Sequence, residues 1–274
     1  MSIRYRSRFF VARPALAAGC LFCALLLVIF WLFWADSANN SSETLPPRLS
    51  PNLFGALGVN LDLQRYDPQE RVLHLQRLRE AGFTWLRLRL PWDEIEPQPG
   101  DYQWDEWDAI MPAVHAAGFQ IILVLDGSPA WARRPEDSGN PLAPPVDPAT
   151  YGGFAYAVSY RYAKYVSAFQ LWDEPNITPH WGAQPISPLG YLFLLREGAI
   201  AIRQAAPQAW IVLAGLAPNV EGGGANLSDV RFLASLYEHG AAEWFDVVAV
   251  KPYGFAESAD ASPDPARLNY ARPI

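Results

Sequence analysis

With 274 residues, 51% of them hydrophobic and 14% aromatic, the chain can bury a sizeable core in one large domain or two small ones. The first 35 residues hold four of the 21 basic residues and no acid, so the remaining 17 basic residues face 28 acids, a net charge of −11 that argues against nucleic acid or anionic lipid as partners. Both cysteines, Cys20 and Cys23, fall in that first stretch, which leaves the rest without a disulfide or a thiolate metal site, and the four histidines are scattered without a metal-ligand spacing.

The chain opens with a basic segment, residues 1–14, carrying Arg4, Arg6, Arg8 and Arg13. Residues 15–35, ALAAGCLFCALLLVIFWLFWA, hold no charge, and about 20 apolar residues suffice to span a bilayer as one helix. Arginines on the N-terminal side predict a signal-anchor with its N-terminus in the cytoplasm and the bulk of the chain extracellular or periplasmic. A cleaved signal peptide is the rival, but its best cleavage site, Ala35-Asp36-Ser37, is poor. The string AAGC at 17–20 has the look of a lipoprotein box, yet it precedes the apolar run instead of following it. Residues 36–52 are polar and proline-rich and read as a flexible tether.

From residue 53 onward, strand-like and helix-like runs alternate. Strands are expected over 56–63, 83–90, 119–126, 166–173, 209–216 and 245–252. Runs such as IILVL and VVAV are apolar without alternation, as in strands buried on both faces. Helix starts are marked at Asp67-Pro68 with Glu70 completing a capping box, at Asp147-Pro148 and at Ser187-Pro188. The phrases AGFTWLRL and AGFQIILV echo each other at the helix-to-strand joint. Six such units predict a parallel α/β sheet, and no GxGxxG or GxxxxGK[ST] motif follows a strand. The fold expected over 53–274 is a (β/α)8 TIM barrel with about six units present. A full barrel needs about 250 residues, so strands seven and eight are expected to lie beyond the sequence given.

In such a barrel, chemistry sits at the C-terminal strand ends. Polar groups fall there: Asn60 and Asp62, Arg87 and Arg89, Asp126, Asp173 and Glu174, and Lys251 with Tyr253. In WLRLRLPW the residues Trp85, Arg87 and Arg89 share one face, which must point into a polar site or a paired network. The pair Asp173-Glu174 ends an apolar run and precedes Pro175-Asn176, a pattern that also suits a plain polar turn.

The string LWDEPN resembles the strand-four motif of the clan A retaining glycoside hydrolases, usually W-N-E-P-N. LRLRLPWDEIEPQPGDYQWDEWD, LVLDGSPAWA and AVKPYG resemble that clan's second, third and sixth strands with their loops, in the right order, and families 39 and 5 are the groups most similar. The resemblance implies that Glu174 is a general acid/base, that Arg87 lies near the nucleophile, that the nucleophile is a strand-seven glutamate beyond this chain, and that no metal or organic cofactor is used. It implies a polysaccharide or oligosaccharide substrate, bound by Asp173, Arg87, Lys251 and Tyr253 and by the rings of Trp92, Trp131, Trp172 and Trp181. An acid that protonates a leaving oxygen must hold its proton, which an ionised Asp173 and shielding by Trp172 would favour. Arg87 has an alternative as a structural ion pair with Asp126 or Glu96. Trp104, Trp107 and Trp210 are expected in packing roles, and Glu257 as a solvated loop residue. The motif departs in two places: Asp173 stands where the family has asparagine, and Lys251 where it has histidine. A non-catalytic glycan-binding protein, or an inactive remnant of the same fold, is the alternative that these departures favour.

Overall fold

The computed structural model describes residues 56–253. The expected transmembrane helix, the tether and Glu257 lie outside the described residues. Among the described residues, no helix is long and apolar enough to cross a membrane.

The core is a five-stranded parallel sheet in sequential order: β1 (Gly58–Asn60), β2 (Trp85–Pro91), β3 (Gln120–Asp126), β4 (Ala168–Asp173) and β5 (Trp210–Gly215). The connecting helices are α1 (Pro68–Glu80), the single turn α2 (Trp92–Ile95), α3 (Asp105–Ala116), α4 (Pro148–Tyr162), α5 (Pro188–Ala205) and α6 (Asp229–Glu238). The sixth expected strand is corrected. Val247 makes one parallel bridge to Val212, with Leu213 N–H donating to its carbonyl at 2.8 Å, so this stretch takes the next place in the sheet without forming a described strand. The first strand is also shorter than expected. Asp62 accepts from the Gln64 N–H at 3.2 Å and caps a 3-10 turn, Leu63–Arg65, which ends the extended run.

Helix starts obey local chemistry. Asp67 accepts from Gln69 and Glu70 N–H, while Glu70 reaches back to the Asp67 N–H at 3.1 Å. Asp147 and Ser187 cap α4 and α5, each followed by proline at the first helical position. The repeated AGF phrase also has a physical cause. Gly82 and Gly118 adopt φ of +89° and +80° just past α1 and α3, and the next N–H, from Phe83 or Phe119, reaches back to Leu78 or Val114. Both are helix stops that need a left-handed residue, which glycine supplies without a Cβ clash.

The two sheet faces differ. Leu86, Leu88, Leu90, Ile121, Leu123, Leu125, Phe169 and Leu171 are buried. Leu171 packs on α5 at Gly198, whose Cα leaves just room for it. The other face is layered. Its lower part is an apolar cavity of about 280 Å³ lined by Trp85, Ile122, Ala168, Trp210 and Val212. Register then carries β2 and β4 upward to Arg87, Arg89, Gln170 and Asp173, and β3 to Asp126. Charge is therefore confined to the C-terminal ends of the strands.

Candidate active site

The end of β4 breaks its own alternation. Period-two geometry would place Ala168, Gln170 and Trp172 on one face and Asp173 on the other. However, Trp172 has φ of +72° and Glu174 has φ of +53°. Such backbone in bulky residues costs about 1–3 kcal/mol each and persists only where surroundings over-determine it. Here Glu174 N–H donates to Gly215 O at 3.0 Å, Ile177 N–H donates to Glu174 O at 3.2 Å, and the Trp172 indole donates to His180 O at 3.0 Å. The twist turns the Trp172 ring onto the edge of Tyr151 and brings Asp173 to the same side as Gln170.

Asp173 is the hub of a charged network. Its Oδ1 accepts from Arg87 Nη2 at 3.1 Å and from Gln170 Nε2 at 3.1 Å, and its Oδ2 accepts from Lys251 Nζ at 3.0 Å. Arg87 also donates from Nε to Gln170 at 3.0 Å and from Nη1 to Asn60 at 3.2 Å. Lys251 is shared, since Nζ donates to Glu174 Oε1 at 2.6 Å. The second oxygen of Glu174 faces His180 Nε2 at 3.5 Å. Glu174 therefore has a cation and an imidazole as its polar neighbours, a different setting from the anion and apolar wall expected from sequence. Gly215 makes room for this arrangement, because a Cβ there would stand 2.9 Å from Lys251 Cε.

A second pair lies one strand away. Asp126 ends β3 buried, with Oδ1 2.7 Å from Arg89 Nε. Burial pushes its carboxyl up to about 6, with Asp173 adding to the rise and Arg89 opposing it. The Arg87 alternative is thus resolved: Arg87 pairs with Asp173, and Asp126 belongs to Arg89. Between these groups and the turn after β1 opens a cleft of about 510 Å³, lined in part by Asn60, Tyr66, Arg87, Arg89 and Glu94.

The sequence-predicted site residues divide into two groups. Glu174, Asp173, Arg87 and Lys251 come together within direct hydrogen-bond reach, and Tyr253, half-exposed, donates its N–H to Lys251 O at 2.8 Å. The tryptophans correct the sequence reading. Trp92 is 0% exposed, stacked on Phe154 at 5.0 Å, with its indole N–H on Glu96 at 2.7 Å. Trp172 and Trp181 are 1% and 3% exposed. These three rings pack in the core and offer no face to a ligand. Trp131 is partly buried, edge-on to Trp92, and donates to Glu96 O at 3.0 Å. Of the three rings expected to pack, Trp107 is buried and Trp104 partly so against Tyr102, while Trp210 lines the lower cavity.

Sequence reasoning missed Gln170, His180 and Asn176. A glutamine inside the apolar run VSAFQLW was the available signal for the first. Asn176 is fully buried, donates Nδ2 to Ala217 O at 2.7 Å and Leu227 O at 2.9 Å, and accepts from Ala217 N–H at 2.8 Å. It joins the β4 loop to a short hairpin, β6 (Gly222–Gly223) with β7 (Asn226–Leu227), that the Gly222-Gly223-Gly224 run could have signalled. Among the described residues no group of His, Cys, Asp and Glu gathers as metal ligands.

Residues 64–136 match the model of a β-galactosidase family, glycoside hydrolase family 42. No curated protein matches the chain. Among solved structures, a family 39 glycoside hydrolase from the gut symbiont Bacteroides cellulosilyticus is similar at 22% identity and a TM-score of 0.56, over 77% of this chain and 42% of that one. An exo-β-1,4-mannosidase from an Opitutaceae bacterium matches at 20% identity and a TM-score of 0.46, over 58% of this chain and 31% of that one. A β-galactosidase from a psychrophilic Marinomonas matches at 14% identity and a TM-score of 0.49, over 72% of this chain and 40% of that one. The chain thus spans less than half the length of each of these proteins, all glycoside hydrolases by description. The likeness to the family 39 enzyme shows that the parallel α/β fold is shared with part of that solved structure. The family match is to family 42, where sequence reading favoured families 39 and 5.

Proposed function

We propose that the chain is part of a retaining glycoside hydrolase that cuts O-glycosidic bonds of a polysaccharide. The observation that carries this reading is Glu174, delivered to the mouth of the sheet on left-handed backbone beside Asp173 and Arg87. In this mechanism Glu174 protonates the leaving oxygen, and a second carboxylate roughly 5–5.5 Å away, supplied from outside the described residues, forms the glycosyl intermediate. Glu174 then takes a proton from the water that releases the sugar. Oε2 is the oxygen for this work, because Lys251 holds Oε1 at 2.6 Å. Asp173, acceptor-only when ionised, holds a sugar hydroxyl proton while Arg87 and Lys251 balance its charge. On this reading the uncharged segment 15–35 anchors the chain in the membrane, with the glycosidase part outside the cytoplasm.

The test is hydrolysis of polysaccharide and aryl glycosides by the wild type and by Glu174→Gln, which should lose about 10²–10⁴-fold in rate on substrates that need an acid. An unchanged rate in Glu174→Gln removes Glu174 from the mechanism. A second reading, a glycan-binding protein without turnover, is favoured by the 2.6 Å Lys251–Glu174 contact, which ties up the acid. It requires sugar affinity that survives Glu174→Gln and no hydrolysis by either form.

A further inference from the structure

His180 stands six residues after Glu174 and folds back against it. Its Nδ1 lies 3.3 Å from the carbonyl oxygen of Asp173. A carbonyl only accepts, so Nδ1 carries the hydrogen, and in the neutral ring Nε2 is left as the acceptor. That atom faces Glu174 Oε2 at 3.5 Å. The backbone that carries the ring is fixed as well, since the Trp172 indole donates to the His180 carbonyl at 3.0 Å. Both side chains are partly shielded, at 23% and 18% exposure. The charged groups around the pair are Lys251, on the other oxygen of Glu174, and the Asp173 carboxylate at the end of β4. Asp137, on the loop between β3 and α4, accepts from the Ala183 N–H three residues past His180.

We propose that His180 is the proton-exchange partner of Glu174: Nε2 and Oε2 share the acid's proton in the free enzyme, and the pair delivers it to Oε2 when substrate binds. In the forward step the O–H bond of Glu174 breaks as an N–H bond forms, giving an imidazolium beside a carboxylate. The reverse step restores the acid, and no other reactant is needed. The gap of 3.5 Å is longer than a hydrogen bond, and sites without substrate commonly hold such contacts long until the complex closes. Lys251 occupies Oε1, which leaves Oε2 as the oxygen open to an exchange partner. His180 acts through Glu174, and its catalytic meaning rests on the role proposed above for that residue.

Two measurements on the full chain test this separately. The chain has four histidines, His74, His115, His180 and His239, so the imidazole signal of His180 is assignable by NMR with a His180→Gln control. Replacing the carboxylate with Glu174→Gln should move the His180 Nε2 signal at fixed pH, since the group facing that atom changes from a carboxylate oxygen to an amide. An Nε2 signal that stays within its linewidth overturns the pairing. In the second measurement, His180→Gln should move the alkaline limb of kcat/KM to lower pH. It should also cost glycosides with poor leaving groups at least ~10-fold more than activated aryl glycosides, which need little acid assistance. Equal losses on both substrates, with an unmoved limb, would reduce His180 to a structural role and overturn the proposal. A wild type that hydrolyses no glycoside sinks the enzyme reading alone, and the response of the His180 signal to Glu174→Gln then decides whether the pair exists.

Discussion

Truncating Asn176 to alanine removes the side chain that joins the β4 and β5 loops, and the cost can be worked from its partners. The amide is fully buried and makes three bonds, to Ala217 O at 2.7 Å, to Leu227 O at 2.9 Å and from Ala217 N–H at 2.8 Å. The two carbonyls keep a second donor, since Asn219 Nδ2 reaches both at 3.1 Å. Only the Ala217 N–H is orphaned, at about 1–3 kcal/mol, and each carbonyl bond lost adds about 0.5–1.5 kcal/mol. The sum is roughly 2–6 kcal/mol, a large share of the ~5–15 kcal/mol that holds a typical domain together. In urea, with m near 2–3 kcal/mol/M for a domain of this size, the midpoint should fall by at least ~0.7 M with m unchanged.

Asn219→Ala is the internal control. Its carbonyl partners keep Asn176, and the exposed Glu221 N–H that it releases meets water, so the two donated bonds should cost about 1–3 kcal/mol, less than Asn176→Ala. The double variant leaves both carbonyls without a side-chain donor, so the two costs should be non-additive. A single Asn176→Ala within ~0.5 kcal/mol of wild type, or no different from Asn219→Ala, would refute the reasoning.

Asp126 gives a pH signature. Its carboxyl is raised from 3.8 to about 6 in the folded chain, so between those values the native state holds a proton that the unfolded chain has released. Stability should therefore fall as pH rises through this window, by up to ~3 kcal/mol, and Asp126→Asn should flatten that slope in urea titrations at pH 4, 5 and 6. Trp92→Ala should cost about 3–5 kcal/mol in stability, as a core truncation does, with sugar affinity lost only as far as folding is lost. Asp173→Asn and Lys251→His should each destabilise the chain, and a double-mutant cycle in urea should return a coupling of about 0.5–3 kcal/mol, with zero coupling refuting a direct pair.

The sequence made legible whatever local chemistry decides. Asp67-Pro68, Asp147-Pro148 and Ser187-Pro188 start helices because a cap needs only its own first turn. The buried parallel strands were readable from unbroken apolar runs, and the charged face of β2 from its alternation. What could not be read depends on distant partners. Trp172 and Glu174 adopt left-handed backbone because Gly215 O, which lies about 40 residues downstream, and the His180 carbonyl hold them there, and nothing in LWDEPN announces it. That twist turns the Trp172 ring inward. Trp92 fails as a stacking platform for a different reason: it begins the one-turn helix α2, which tucks its ring against Phe154. Strand-end position predicts proximity to a cleft, and it cannot tell which way a ring faces.

The two departures from the glycosidase motif become one feature once their distances are known. An aspartate in place of asparagine adds a negative charge among Arg87, Gln170 and Glu174, where side chains are mostly shielded from water. A lone surplus anion there would be costly, because desolvation is repaid only by a close partner. Lys251 supplies it, bonding Asp173 at 3.0 Å and Glu174 at 2.6 Å from the place where the motif has histidine. The bare backbone of Gly215 admits the lysine stem. Asp173, Lys251 and Gly215 therefore act as a matched set that keeps the strand ends close to neutral: Arg87 and Lys251 against Asp173 and Glu174, with Arg89 against Asp126. The substitutions alter which groups donate and which accept in the site, while the charge that each strand end must balance stays in step. That balance is why the motif can differ at both positions and still present Glu174 at the mouth of the sheet.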